Sequence, residues 1–339
     1  MNTYITNLNA LGGTPQAAQN MVTDIACDKL GFRQMGIYHY NWPDEPLDIL
    51  HARLDGIMAP VHAGDVVVYQ FPTWGSPQLD NLLLQNIKLF NAHLVIFIHD
   101  IRALMTKQDL KLLSQEIGFF NQAEVIIAHS TQMIDFLKEH GLKLKVKKTI
   151  TLEFMDHPVS GTLGQVPEYK PIITYAGNPN DSPKSDFLKG WNNSNVKLRL
   201  YGNPNWSITD NYEIGGWQDI DQKLLFDLRE NGGFGLLWSS DPVWQRYMTM
   251  NAPFKLSTYL AAGIPIIAQS SIAQHDIIKQ HHLGILVDSL EEAAERVAQI
   301  TPEEYNQMVS SIDHFSTLIR QGYFTKKALL DAVFTIYHD

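Results

Sequence analysis

The sequence predicts an α/β protein built from two Rossmann-like, doubly wound parallel sheets in tandem, and three observations lead there. Short apolar runs rich in β-branched residues alternate with Gly/Pro/Asn/Asp turns and helical stretches through most of the chain, the pattern of βαβ units. Several runs, such as Val66-Val67-Val68-Tyr69 and Leu94-Val95-Ile96-Phe97-Ile98, are apolar without alternation, as strands covered by helices on both faces are. The rhythm breaks once, over 156–170, where two prolines and two glycines interrupt it, and then resumes. The 339 residues suffice for two cores of about 150 residues each.

In the first half, strands are predicted at 2–7, 34–38, 65–70, 93–98 and 124–128, with helices at 15–30, 47–59, 79–90, 108–120 and 131–140. The first helix follows Gly12-Gly13-Thr14-Pro15, where Thr14 suits the N-cap and Pro15 the first helical position. Ser130 suits the N-cap of the helix from 131 in the same way. Lys143, Lys145, Lys147 and Lys148 read as the solvated side of a strand, or alternatively as a patch facing anionic lipid at a membrane periphery. After the break, strands are expected at 171–176, 197–201, 235–238, 264–268 and 284–287, and helices at 185–191, 222–229, 253–262, 272–280 and 290–300. The tail over 302–337 reads as helices alone. The expected partition is a first domain over 1–158, a linker over 159–170, a second domain over 171–310, and C-terminal helices over 311–339 that pack back on the first domain. Two such sheets are expected to place a cleft at the C-terminal ends of their strands.

Composition excludes several function classes. The net charge is −10, against the basic surface that a dedicated nucleic-acid binder needs. A single cysteine, Cys27, rules out a disulfide framework and a thiolate metal cage. The N-terminus lacks the basic and apolar regions of a signal peptide, and no window approaches about 18 uninterrupted apolar residues. A cytoplasmic protein is therefore expected, and the sequons at Asn192 and Asn205 read as chance. The 13 histidines form no HExxH or other ligand spacing, so no metal is expected. Asp219-Ile220-Asp221 mimics a DxD metal signature, but acidic residues are ordinary at the start of the helix that follows. Walker A and GxSxG motifs are missing.

Seven stretches could carry chemistry. The Gly12-Gly13-Thr14 turn between the first strand and helix lets backbone approach a ligand and points helix N–H groups at an anion or hydroxyl-rich group; a plain tight turn is the equal alternative. In Asn251-Ala252-Pro253-Phe254-Lys255, Lys255 occupies the first turn of a helix that runs through Thr258 and ends at Gly263. A cation there opposes the macrodipole, and a bound phosphate would relieve that conflict. Gly177-Asn178 follows the first strand of the second half, and Lys184 lies close enough in sequence to reach the same phosphate. His99-Asp100, His129-Ser130 and Gln70-Phe71-Pro72-Thr73-Trp74 end strands on the expected ligand side, where they suit hydroxyl recognition or proton transfer. Trp244, in a Pro-containing loop, suits packing against a sugar face.

These residues resemble a known family. Pro-Phe-Lys-Leu-Ser-Thr-Tyr-Leu-Ala-Ala-Gly-Ile-Pro over 253–265, with Gly-Asn at 177–178, is similar to the donor half of two-domain (GT-B) nucleotide-sugar glycosyltransferases. The Gly-Gly-Thr loop, Gln-Phe-Pro-Thr-Trp and Ile-His-Asp-Ile-Arg extend the likeness over the whole chain. It is nearest to the bacterial subgroup of accessory glucosyltransferases of serine-rich-repeat adhesin O-glycosylation and related β-1,6-galactofuranosyltransferases.

The resemblance implies a metal-independent hexosyltransferase that takes a UDP-sugar as co-substrate and needs no cofactor. Glucose from UDP-glucose would pass to O-linked GlcNAc on an adhesin, and the enzyme would be a homo-oligomer, a tetramer in that subgroup. Donor contacts would come from Thr14, Gly177, Asn178, Lys184, Tyr201, Gly202, Trp244, Asn251, Lys255 and Thr258, with Lys255 stabilising the leaving diphosphate. Acceptor contacts would come from Gly13, Gln70, Thr73, His99 and Asp100, with Asp100 as base if the reaction inverts. One departure matters: Thr258 stands where many relatives carry a ribose-binding Glu, so the ribose would be held by 202–206 or 212–217. The alternatives are a galactofuranosyltransferase of polysaccharide synthesis, a nucleotide-sugar epimerase, and a non-catalytic sugar-binding subunit of a transferase complex.

Overall fold

The structure is a computed structural model that describes residues 2–40, 45–105, 109–143, 148–219 and 222–338. It divides into two compact units, Met1–Glu153 with Tyr323–Asp339, and Phe154–Gly322. Each contains one six-stranded parallel sheet with helices, the tandem α/β organisation expected.

In the first unit the elements run β1 (Thr3–Asn9), α1 (Gly13–Leu30), β2 (Arg33–Tyr38), α2 (Leu47–Met58), β3 (Val66–Phe71), α3 (Pro77–Leu89), β4 (His93–Ile98), α4 (Leu110–Phe120), β5 (Val125–Ala128), α5 (Thr131–Glu139) and β6 (Lys148–Thr151). The sheet order is β2-β1-β3-β4-β5-β6. Val66, Val67, Val68, Ile96 and Phe97 are fully buried, which is why these strands carry no polar alternation. Helix starts follow capping chemistry. Ser76 Oγ accepts from Leu79 N at 3.2 Å ahead of Pro77, and Ser130 Oγ accepts from Met133 N at 3.0 Å, each supplying one of the orphan N–H groups of the first turn with an acceptor.

Thr14 is not the cap that its position suggests. The helix begins one residue earlier, at Gly13, with Gly12 in the N-cap position and no side-chain bond from it. Gly12 and Gly13 have φ of 77° and 66°, a conformation that glycine adopts without steric penalty. The Gln16 amide oxygen accepts instead from Leu11 N and Gly12 N at 2.9 and 2.8 Å, and this leaves Thr14 exposed. The strand β6 begins at Lys148, the last of the lysines read as the solvated side of a strand; Lys145 and Lys147 lie outside the described residues, as do Gln108 and positions 220–221 of the Asp-x-Asp lookalike.

The second unit runs β7 (Ile172–Ala176), a 3-10 turn (Asp186–Gly190), β8 (Lys197–Tyr201), β9 (Tyr212–Ile214), α6 (Gln222–Asn231), β10 (Phe234–Leu237), α7 (Pro242–Met248), α8 (Phe254–Ala262), β11 (Ile266–Gln269), α9 (His275–Gln280), β12 (Gly284–Val287), α10 (Leu290–Gln299) and α11 (Pro302–Arg320). Its order is β12-β11-β10-β7-β8-β9. The chain therefore reverses direction across the sheet between β7 and β10, and ligands of open α/β sheets bind at such a reversal, beyond the strands' C-terminal ends. The core includes Ile173, Leu198, Leu200, Phe234, Leu236, Ile267 and Tyr305.

Helix α8 is buried from Leu256 to Ala262. It can lie so close to the sheet because Gly235 has no side chain: a Cβ there would collide with the Tyr259 ring. The Tyr259 hydroxyl accepts from Ala176 N at 2.8 Å. Thus the first turns of α8 are tied to the end of β7. Residues 156–170 contain no helix or strand and lie within the second unit, so the chain passes between units at 153–154 where the sequence suggested 158–159. The expected tail helices divide. α11, begun by a capping box of Thr301 and Glu304, packs on α8, whereas α12 (Tyr323–His338) packs with α1, β5 and β6 in the first unit. Among the described residues no helix is long and apolar enough to cross a membrane.

Candidate functional site

In the second unit, the C-terminal end of β7 and the first turn of α8 bring Lys255 against Gly177. A Cβ on Gly177 would lie 2.7 Å from both Cε and Nζ of Lys255, so a side chain at this strand end would push the lysine's flexible end out of its present seat. Lys255 Nζ stands 3.8 Å from the centre of the Tyr175 ring, a cation–π contact. Burial pushes its pKa down to about 8, while the Asp181 carboxylate pulls the other way. A desolvated ammonium at a helix N-terminus is doubly disfavoured, and an anion beside it would remove both penalties.

The 177–185 turn supplies a second cation. Lys184 Nζ lies 3.8 Å above the Trp244 ring and 3.9 Å from Asp181 Oδ2. The Tyr175 hydroxyl and Ser185 Oγ are 2.8 Å apart, and Ser185 Oγ donates to the Asn178 carbonyl at 2.9 Å. Ser239 Oγ adds a bond to the Lys184 carbonyl at 3.0 Å. These bonds hold the turn over the β7 end, and burial raises the Tyr175 hydroxyl pKa, keeping it neutral.

Trp244 is in a helix rather than a loop: Asp241 Oδ1 accepts from Val243 N and Trp244 N at 3.0 and 3.1 Å and so starts α7. Trp238 is partly buried against the core of this unit. Asn178 is exposed, while Gly202 is buried beside Pro179 and the Gly177 carbonyl. Asn251 Oδ1 is buried without a hydrogen-bond partner.

Two expected donor residues face elsewhere. The Tyr201 ring packs on Gly215, and its hydroxyl accepts from Asn231 Nδ2 at 3.1 Å. Thr258 is 3% exposed; its Oγ1 donates to the Phe254 carbonyl at 3.1 Å and lies 3.2 Å from His157 Nδ1.

In the first unit the strand ends carry a buried polar network. Gln70 is fully buried; its Nε2 donates to the Thr6 carbonyl at 2.5 Å and Thr23 Oγ1 at 2.9 Å. Its Oε1 is 2.8 Å from His99 Nε2, so this nitrogen carries the proton, as assigned from the amide's own bonds. Burial, helped by neighbouring His129, lowers the His99 pKa to about 3, and burial lowers that of His129 to about 4. Both are neutral rings at ordinary pH. Thr73 Oγ1 and the Tyr69 hydroxyl both donate to Asp80 Oδ1, and burial raises the Asp80 pKa. Gln70, Thr73 and His99 are thus held inside, whereas Gly13 and Thr14 are exposed and Asp100 is half-buried.

Sequence reasoning passed over Tyr175, Ser185 and Tyr259, which fix the lysines' surroundings. The available signal was Tyr175, a polar-tipped aromatic two residues ahead of the glycine at the strand end. Among the described residues, no group of three or more His, Cys, Asp or Glu side chains is placed to hold a metal ion.

The family models "Glucosyltransferase 3-like, N-terminal domain" and "Glucosyltransferase 3-like, C-terminal domain" match residues 2–154 and 173–332. The chain is 36% identical to "Glucosyltransferase 3" of Streptococcus parasanguinis, over 98% of each chain, and 37% identical to "Glucosyltransferase 3" of Streptococcus gordonii, over 99% of each. At 24% identity it is similar to "Beta-1,6-galactofuranosyltransferase WbbI" of Escherichia coli K12, over 84% of each chain. Among solved structures, Anabaena Alr3699/HepE in complex with UDP shares the fold, with a TM-score of 0.67 at 11% identity over 98% of this chain and 99% of that one.

Proposed function

Since the chain belongs to the glucosyltransferase 3-like family and is a GT-B glycosyltransferase, we propose that it transfers glucose from UDP-glucose to a GlcNAc already O-linked to a serine-rich-repeat adhesin. The observation that carries this reading is Lys255 Nζ, seated between Gly177 and the Tyr175 ring at the reversal point of the second sheet. Departure of UDP builds negative charge on the β-phosphate, and an ammonium joined by helix N–H groups stabilises that charge as it develops. This is a metal-independent route. Lys184 neutralises the second phosphate, Asn178 and Asn251 offer polar groups to the sugar or ribose, and Trp244 offers an aromatic face.

The first unit takes the acceptor. Gly13 and Thr14 are its exposed contacts, and Gln70, Thr73 and His99 support them from within. Asp100 is the group to accept the acceptor's proton if configuration inverts; with retention, the leaving phosphate takes it. The names of the two Streptococcus relatives support glucose as the transferred sugar.

The test is incubation with a panel of UDP-sugars and a GlcNAc-bearing peptide, read by mass shift. A hexose added from UDP-glucose is expected. Product formed from UDP-sugar alone would point to isomerisation, and UDP-dependent thermal stabilisation without transfer would point to a silent subunit.

A pH dependence accompanies this reading. The folded-state pKa of Lys255, about 8, lies below the ordinary 10.5, so below pH 8 the lysine is charged and ready for the diphosphate. Above it the free site loses the proton, and binding must take one up. UDP affinity is expected to be flat between about pH 7, where the terminal phosphate is fully ionised, and pH 8, and to fall about tenfold per unit well above it, with proton uptake visible as a buffer-dependent heat in calorimetry. Folding stability changes in the other sense: it rises with pH between the folded and ordinary values. An affinity independent of pH up to 10 would remove Lys255 from the site.

A further inference from the structure

The two candidate diphosphate lysines, Lys184 and Lys255, share the field of one carboxylate. Asp181 Oδ2 is 3.9 Å from Lys184 Nζ, and its charge also acts on Lys255 and on the Tyr175 hydroxyl. Its backbone carbonyl accepts from Ser185 N at 2.7 Å, which anchors it at the start of the turn that places Lys184. The nearby Asp186 differs: it is held by Lys189 Nζ and Ser182 Oγ, each at 2.6 Å. Asp181 is therefore the carboxylate among these groups that faces the candidate diphosphate cations. Its side chain is 48% exposed, so an incoming anion meets it directly.

We propose that Asp181 is a built-in counter-anion of Lys184 and Lys255, which the diphosphate of the donor displaces on binding and which competes for the same ammonium groups when UDP is to leave. The proposal rests on the reading of the second unit as the donor half. Without a ligand, each lysine is parked on an aromatic ring, Lys184 on Trp244 and Lys255 on Tyr175, and Asp181 supplies the opposite charge. A diphosphate brings more negative charge to the same place, and two like-charged groups within a few ångströms repel. Asp181 thus weakens the resting affinity for UDP and lets product leave, which a transferase needs for turnover.

The experiment is calorimetric titration of the full chain with UDP and with uridine at pH 6.5, where Lys255 is protonated with or without the carboxylate. The proteins are the parent, Asp181→Asn, Asp181→Ser, Asp186→Asn and Lys255→Ala. Both Asp181 variants are expected to bind UDP about three- to tenfold more tightly. Uridine, lacking phosphates, is expected to bind them as it binds the parent, and Asp186→Asn is expected to leave both ligands unchanged. Unchanged or weaker UDP binding by both Asp181 variants overturns the proposal, as does equal tightening for uridine. If Lys255→Ala binds UDP like the parent, or the parent binds no UDP, the donor-half reading falls first and takes the proposal with it.

Discussion

Lys255→Ala is expected to lower transfer about 100- to 1,000-fold, the effect of removing one preorganised charge-stabilising group from a transition state. Thermal unfolding should stay close to that of the parent, because this lysine is charged in a place that disfavours charge and the fold gains nothing from it. Circular dichroism and a transfer assay read by mass separate the two effects. Lys255→Arg is not a conservative control. The planar, larger guanidinium spreads its charge over a fork where Lys255 presents a compact ammonium 3.8 Å from the centre of the Tyr175 ring, so transfer is expected to stay low. Near-parent transfer by Lys255→Ala would refute the site assignment.

Gln70→Leu is expected to lower folding stability by about 3 kcal/mol, since one substitution leaves several buried groups without partners. The Thr6 carbonyl and Thr23 Oγ1 lose a donor, and His99 Nε2 loses its acceptor. The measurement is denaturant unfolding, accompanied by the acceptor KM at a temperature where the variant is folded. A lost midpoint with little change in KM identifies a residue of the fold. An unchanged midpoint with a raised KM would mean that Gln70 turns outward to the acceptor, contrary to its full burial.

These two residues mark what was legible in the sequence. Lys255 stood out because a cation in the first turn of a helix runs against local electrostatics, and a conflict of that kind is visible in one dimension. Gln70 was legible only by position. Its place at the end of β3 put it on the ligand side, but whether a side chain there faces inward depends on β1 and α1, which supply Thr6 and Thr23. The strands were legible where they are continuously apolar, as over Val66–Phe71 and His93–Ile98. Of the short edge strands, Lys148–Thr151 showed only through the lysine spacing that leads into it and Tyr212–Ile214 not at all, since edge strands are polar and owe their form to a neighbour. Trp244 was misplaced in a loop although Asp241-Pro242 is a helix-opening pair; reading proline only as punctuation hid it. Tyr259 lies within the helix expected over 253–262, but its tie to Ala176 N needed the third dimension.

The return of α12 to the first unit has a consequence for biosynthesis. All six strands of that sheet leave the ribosome within the first 151 residues, yet the helix that packs on β5 and β6 arrives after residue 322. The second unit, by contrast, is an uninterrupted segment that can complete itself earlier. Nascent chains stalled before residue 323 should therefore expose an apolar face on the first-made half, and chaperones would meet it there. Loss of α12 alone would thus leave a sheet made much earlier unfinished.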